Sequence, residues 1–346
     1  MISPILFYGQ PFILGFGIAS ILCFLFIKFF KIFPLSNKRK SKRHIHKNNI
    51  SRFGGVTIIT AFISTLLYNE YIFFDNIVWS LIVGGIVILF FGIIDDIKPL
   101  SWQTQIFSQV AIVLLIFIMG VRAEFITNPF GDVIWLVHDS TPIWSLLFML
   151  IWMLVIMNAV NWSDGIDGLA GGIVLIAAVT LFVISLQPNV MQPPIAIITI
   201  ILAGSVLGFL IFNLPPAKIF AGSSGAFFMG YAIALLAIAA GAKIGTTLLV
   251  LAVPLVDAIW VVWHRIRSGK SIFRSDKQHL HHRLLDRGWS VRQILMLYYS
   301  VTIFSAGIAI ATQTIGKLIA LIIFCIMIII FFLFLSYDTN KKQNYI

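Results

Sequence analysis

Long apolar runs alternate with short polar ones along the whole chain. The runs near residues 7–30, 54–69, 76–94, 105–121, 143–160, 169–187, 194–213, 225–242, 245–264, 293–312 and 316–336 each approach the roughly 20 residues that a helix needs to cross a bilayer. They predict eleven membrane helices. A closed β-barrel would show short alternating strands instead of continuous apolar runs. Between residues 122 and 141 the pattern resembles a small β-hairpin turning at Asn128 to Asp132.

Composition turns this pattern into a class. Of 346 residues, 60% are hydrophobic and 11% charged, and the mean hydropathy is +1.00. A soluble domain does not carry so much apolar side chain, so the expectation is an all-α polytopic membrane protein forming a single integral-membrane domain over 1–346. Cys23 and Cys325 both lie in apolar runs and read as small hydrophobes with no disulfide framework.

Charge orients the chain. No Lys or Arg precedes the first run, and the first positive charge, Lys28, comes at its far end. That is the reverse of a cleavable signal peptide and predicts an N-terminus outside. The loops at 31–53, 95–104, 161–168, 214–224 and 265–292 and the C-terminal tail then fall inside. Of 24 Lys and Arg, only Arg122, Lys243 and Lys317 are left on or next to the outer side, as the positive-inside rule requires. A net charge of +11 concentrated on one face suits anionic head groups or a phosphorylated substrate. Nucleic acid is excluded, because the basic residues sit in short loops between spans and form no recognition fold.

The polar clusters fall on that same inner face. In Asn158-Ala-Val-Asn161-Trp-Ser-Asp164-Gly-Ile-Asp167-Gly, two amides and two carboxylates recur every third residue. A helix or 3₁₀-like turn would align them along one face. A lone Asp-Gly would be a polar turn, but four such groups against a bilayer indicate a site. One apolar run ends in Asp95-Asp96, where acids oppose the helix dipole, so local stability does not explain them; Mg²⁺ binding or proton transfer would.

Three further loops are less specific. Residues 34–53 carry His44, His46, Lys47 and Arg52-Phe-Gly-Gly, consistent with a topogenic basic patch or with phosphate handling. Pro215-Pro216-Ala-Lys218 leads into Gly222-Ser223-Ser224-Gly225 at a helix start, a backbone arrangement that favours anions. His279-Leu-His281-His282-Arg283 lacks the separated ligand pair of a zinc site; it fits hydrogen bonding to a diphosphate or sugar, or an interfacial helix. Asp257, after Pro254 in the ninth run, should have a structural partner that the sequence does not name.

Taken together, the motifs resemble the polyprenyl-phosphate N-acetylhexosamine-1-phosphate transferases. This family includes enzymes that start O-antigen, enterobacterial common antigen and teichoic acid synthesis, and phospho-MurNAc-pentapeptide translocase. The likeness is carried by His46-Lys47 with Arg52-Phe-Gly-Gly, Asp95-Asp96 with Leu100-Ser101, Asn158 to Ala170, Pro216-Ala-Lys-Ile-Phe with Gly222 and Gly225, and His279-Leu-His-His-Arg. The last two look closer to the GlcNAc-1-phosphate branch.

The resemblance implies transfer of a sugar-1-phosphate from a UDP-N-acetylhexosamine to undecaprenyl phosphate, with release of UMP. It also implies a bacterial cytoplasmic membrane location with the active site facing the cytoplasm and a periplasmic hairpin, Mg²⁺ (or Mn²⁺) as cofactor, membrane lipids as partners, and compatibility with a homodimer. Asp95 is then expected to activate the lipid phosphate. Asp96, Asn158 and Asp164 would serve metal or nucleotide, Asp167 the uridine or sugar side, and His281, His282 and Arg283 the diphosphate or N-acetyl sugar. His46, Lys47, Arg52, Asn161, Lys218 and His279 complete the expected substrate contacts, and Ser223 stands at a metal-ligand position.

Two departures stand out. The family usually has Gly-Asp-x-Gly where this chain has Gly222-Ser223-Ser224-Gly225, and Lys or Arg where Gln105 stands. They leave open a weakened or silent relative that only binds lipid phosphate or nucleotide. A transporter would instead carry its acids near the midplane.

Overall fold

The computed structural model describes residues 4–32, 50–137, 141–241, 243–269, 271 and 278–343. His44, His46 and Lys47 lie outside them. Apolar side chains facing lipid require every backbone polar group to be satisfied within its own segment, which selects helices. Thirteen are found among the described residues: α1 (Pro4–Ile32), α2 (Gly54–Tyr68), α3 (Asn76–Ile97), α4 (Trp102–Ile118), α5 (Ile143–Ser163), α6 (Leu169–Ser185), α7 (Pro193–Asn213), α8 (Gly222–Ala239), α9 (Ile244–Val250), α10 (Ala252–Arg267), α11 (Leu280–Asp286), α12 (Val291–Ala311) and α13 (Thr314–Gln343).

Each of the eleven apolar runs contains a helix. By length and composition seven helices can each cross a membrane: α1, α3, α5, α7, α8, α12 and α13. The ninth run is not one rod. It divides into α9 and α10, bent by 77°, and the break at Leu251 precedes Pro254, which sits in the first turn of α10, where a missing N–H costs nothing. α2, α4 and α6 are shorter apolar helices.

Helix α8 is the axis of the bundle, packed against α2, α3, α5 and α6, while α7 lies against α1, α2 and α6. Its polar neighbours are satisfied inside: the Tyr231 hydroxyl donates to the Ser80 carbonyl at 2.6 Å and the Trp152 indole to the Ala234 carbonyl at 3.0 Å. Strands β1 (Phe125–Thr127) and β2 (Val133–Trp135) pair antiparallel, with Asn128 N–H donating to Asp132 O at 3.0 Å across the turn, the hairpin that the sequence predicts. Because the helices alternate in direction, one end of the bundle collects the end of α3, the α5–α6 turn, the α7–α8 loop and α11. The hairpin and the α6–α7, α8–α9 and α12–α13 turns collect at the other.

Candidate active site

The adjacent acids at the end of α3 serve the start of α8. Asp96 accepts from Ser223 N–H at 2.8 Å, and from Ser224 N–H at 3.3 Å and its hydroxyl at 3.1 Å. A carboxylate at a helix N-terminus complements the dipole there, which explains why the pair is tolerated at the C-terminal end of its own helix. Asp95 accepts from Leu100 N–H at 2.7 Å, from the Gln105 amide at 3.1 Å and from the Ser223 hydroxyl. Ser223, expected at a metal-ligand position, thus spends its hydroxyl proton on Asp95. Gly222 has φ +69°, and a Cβ there would strike Arg52 O and the Asp96 carboxylate, so only glycine lets the loop pass so close.

Arg52 is held by backbone stitching. Ser51 bridges Ile219 in parallel; Phe220 N–H donates to Ser51 O at 2.8 Å, Gly54 N–H to Phe220 O at 2.9 Å and Gly55 N–H to Ala221 O at 2.8 Å. The start of α2 is thereby tied to the start of α8.

The central motif does not form one continuous face. Asn158 and Asn161 lie on the last turns of α5, which stops at Ser163, and Asp164 to Gly168 form the turn into α6. Asn158 donates to the Gln109 side chain at 2.7 Å and to Leu154 O at 2.8 Å. Asp167 accepts from Ala217 N–H at 2.9 Å, and Gly168 N–H donates to Asn213 at 2.9 Å, so this turn is fastened to the α7–α8 loop. Asp164 differs from its neighbours. No hydrogen bond from the described residues supports its carboxylate. Burial, then repulsion from Asp96 and Asp167, push it up to about 8 against the opposing pull of Arg52.

Asp257 finds its partner in His279: the imidazole Nδ1 lies 3.0 Å from Asp257 Oδ2, and Leu280 N–H donates to Oδ1 at 2.8 Å. This acid anchors the start of α11. Asp257→Ala is expected to lower stability by roughly 2–4 kcal/mol, because two buried donors lose their acceptor. The loss should appear as a lower thermal midpoint, with transfer activity falling as α11 loosens.

His281 is buried against Gly165, where a Cβ would collide with its Nε2. Neither ring nitrogen has a hydrogen-bond partner among the described residues, and burial, with repulsion from His282 and His279, holds the imidazole well below its ordinary range, hence neutral. Arg283 donates to Gln278 O at 3.0 Å and to its side chain at 2.8 Å, and lies 5.6 Å over Phe332. Lys218 is exposed and lines neither cavity described next.

Two cavities meet at Asp164. One, of about 690 Å³, runs between α4, α5 and α10 along Ile106, Val155, Ile259 and Trp263 and ends on Asn158, Asn161 and His282. The second, of about 570 Å³, is more polar than the first, with Arg52, Asp96, Asp167, Ser223 and Arg292 in its lining. Asn161, Asp164, Gly165 and His282 belong to both. The structure thus brings Arg52, Asp96, Asn158, Asn161, Asp164, Asp167, Ser223, His279 and His282 to the two cavities; Asp95 and His281 stand behind them. Three residues went unnoticed in the sequence: Arg265, buried and 5.9 Å over Trp162 in the apolar cavity, Arg292 in the polar one, and Gln109 behind Asn158. A charge at a membrane helix end was the available signal for both arginines.

Among the described residues no group of three or more His, Cys, Asp or Glu side chains could hold a metal ion alone. Among the groups that face the cavities, the unsupported Asp164 carboxylate and the Asn158 and Asn161 amides offer hard oxygen donors. That set fits a magnesium-sized cation completing its shell from water and substrate phosphates, the usual mode for Mg²⁺.

Fold and site together define a multi-pass helical membrane protein with an oxygen-rich, basic-rimmed pocket opening beside an apolar groove. A profile of glycosyl transferase family 4 matches residues 78–241. The chain is 31% identical over 316 residues to the probable undecaprenyl-phosphate N-acetylglucosaminyl 1-phosphate transferase of Bacillus subtilis (strain 168), covering 88% of this chain and 84% of that one. It is 33% identical over 288 residues to the decaprenyl-phosphate N-acetylglucosaminephosphotransferase of Mycobacterium leprae (strain TN), covering 75% and 72%. With the phospho-N-acetylmuramoyl-pentapeptide-transferase of Listeria monocytogenes serotype 4b (strain CLIP80459) it shares 28% over 287 residues, 78% of this chain and 86% of the other. The chain belongs to glycosyl transferase family 4, the family of polyprenyl-phosphate sugar-1-phosphate transferases.

Proposed function

We propose that this protein transfers an N-acetylhexosamine-1-phosphate, most simply GlcNAc-1-phosphate, from its UDP-sugar to undecaprenyl phosphate in the cytoplasmic leaflet, starting a cell-envelope glycan. The observation that carries this reading is the junction of an apolar cavity and a polar one at Asp164. One suits an isoprenoid chain; the other suits a nucleotide diphosphate.

An oxygen of the lipid phosphate attacks the β-phosphorus of the UDP-sugar, the bond from that phosphorus to the bridging oxygen breaks, and UMP leaves. One phosphoanhydride replaces another, so positioning and charge neutralisation dominate the barrier. Arg52 and Arg292 line the polar cavity where the diphosphate would sit, and Arg265 lies along the groove toward the lipid phosphate. The neutral His281 backs the turn at Gly165 and Asp164, and His282 faces both reactants. Asp95, which accepts from Leu100, Gln105 and Ser223, supports the α8 N-terminus in this reading. Asp164, Asn158 and Asn161 would hold Mg²⁺, and the cation would supply positive charge to offset that of the phosphates.

The test is direct. Membranes containing the protein, given labelled UDP-GlcNAc, undecaprenyl phosphate and Mg²⁺, should yield labelled lipid and UMP. No product from UDP-GlcNAc or any other UDP-N-acetylhexosamine would overturn the proposal.

A further inference from the structure

At the end of the bundle opposite the acids lies a third cavity, of about 800 Å³, between the hairpin, the α6–α7 turn, the start of α9 and the α12–α13 turn. Two lysines from separate segments line it: Lys243, just before α9, and Lys317, in the first turn of α13. Both are half-buried, and they are close enough to repel each other electrostatically. Lys317 Nζ donates to the buried Thr246 hydroxyl at 3.0 Å; no ion pair engages either lysine among the described residues, and no Asp or Glu among them lines the cavity. The third cation of this end, Arg122, is already spent on the Phe117 and Val121 carbonyls and the Phe117 ring.

Two like charges sharing a partly dry cavity oppose each other and lose hydration, a cost that an anion between them removes without either lysine giving up its proton. Burial already holds Lys243 below its ordinary range. Compact ammonium groups suit a phosphate oxygen cluster. The volume exceeds what a bare ion needs, and the wall mixes apolar Ile126, Ile134 and Leu321 with polar Gln187, Asn189 and Gln313, which suits the glycerol backbone and first methylenes of a lipid.

We propose that Lys243 and Lys317 form a second anion site, taking one phosphate group between them at the membrane face opposite the catalytic end, as an anionic phospholipid headgroup or as free phosphate. The site is independent of the transferase reading.

Amine acetylation of the full chain in dodecyl maltoside, read by mass spectrometry at both lysines, tests it. Phosphatidylglycerol, inorganic phosphate at matched ionic strength and uncharged diacylglycerol are the three arms. Protection of both lysines at least about fivefold by phosphatidylglycerol alone assigns a lipid headgroup, and protection by both anions assigns the phosphate itself. Protection by neither, or equally by diacylglycerol, overturns the proposal. In Lys243→Gln the protection of Lys317 should be lost; full protection there would mean that the lysines share no ligand, which also overturns it. The wild-type footprint decides on its own if that variant fails to fold.

Discussion

Asp164→Asn should abolish sugar-1-phosphate transfer while leaving the protein at least as stable as the parent. The substitution keeps shape and removes charge. Asp164 lies where both cavities meet, with no donor on its carboxylate among the described residues, and burial and its acidic neighbours push it up to about 8. A structural acid would be paired; this one is left to be satisfied by something that arrives with the substrates. Losing the interaction in the transition state should cost roughly a thousandfold or more in kcat. Stability should move the other way. A carboxylate whose folded-state value lies above its unfolded one binds more protons when native, so without cation it destabilises increasingly as pH rises from about 4 to about 8. The thermal midpoint of Asp164→Asn should therefore exceed that of the parent by a margin that grows across that window and levels off above it. An active variant, or one that is inactive only because it is unfolded, would remove Asp164 from the centre of the site.

The second large effect concerns the two positions where the chain departs from its family. Ser223 and Gln105 lie far apart in sequence, yet both donate to the same carboxylate, Asp95. Ser223→Asp alone would set a third acid against Asp95 and Asp96 with no new cation. Close carboxylates resist joint ionisation, and transfer should fall about tenfold or more, together with the thermal midpoint. Gln105→Lys in the same molecule supplies a positive charge on Asp95, and the double variant should recover activity to at least the parental level. A double-mutant cycle should then give a coupling of ~2 kcal/mol, within the range for residues sharing a partner. On this account the neutral pair Ser and Gln replaces an Asp and a cation without changing net charge, so the departures do not by themselves mark a silent relative. A large gain from Ser223→Asp alone would show instead that serine is the defect.

Local pattern made the helices legible and left their meetings hidden. Each apolar run became a helix because hydrocarbon allows the backbone little else, and the hairpin turned where Asn128 and Asp132 indicated. The elbow at Leu251 was missed because the run stays apolar through it, and Pro254 sits where a helix begins. The three-residue spacing from Asn158 to Asp167 suggested one face, but glycines at 165 and 168 end the helix after Ser163. Ser223 stands 128 residues from Asp95, Ala217 50 from Asp167 and His279 22 from Asp257, and no periodicity records such pairings. Resemblance named most of the ionisable cavity residues, though not Arg265 or Arg292, and it also named Arg283 and Lys218, which line neither cavity.

The elbow between α9 and α10 has a consequence for traffic. The 77° bend turns α10 off the line of α9, and its Ile259 and Trp263, which wall the groove, stand exposed on the flank of the bundle. On the proposed function, a greasy tail of any length can slide in sideways from the leaflet, hold only its head at the chemistry and drift out bearing its sugar, never having been lifted into water.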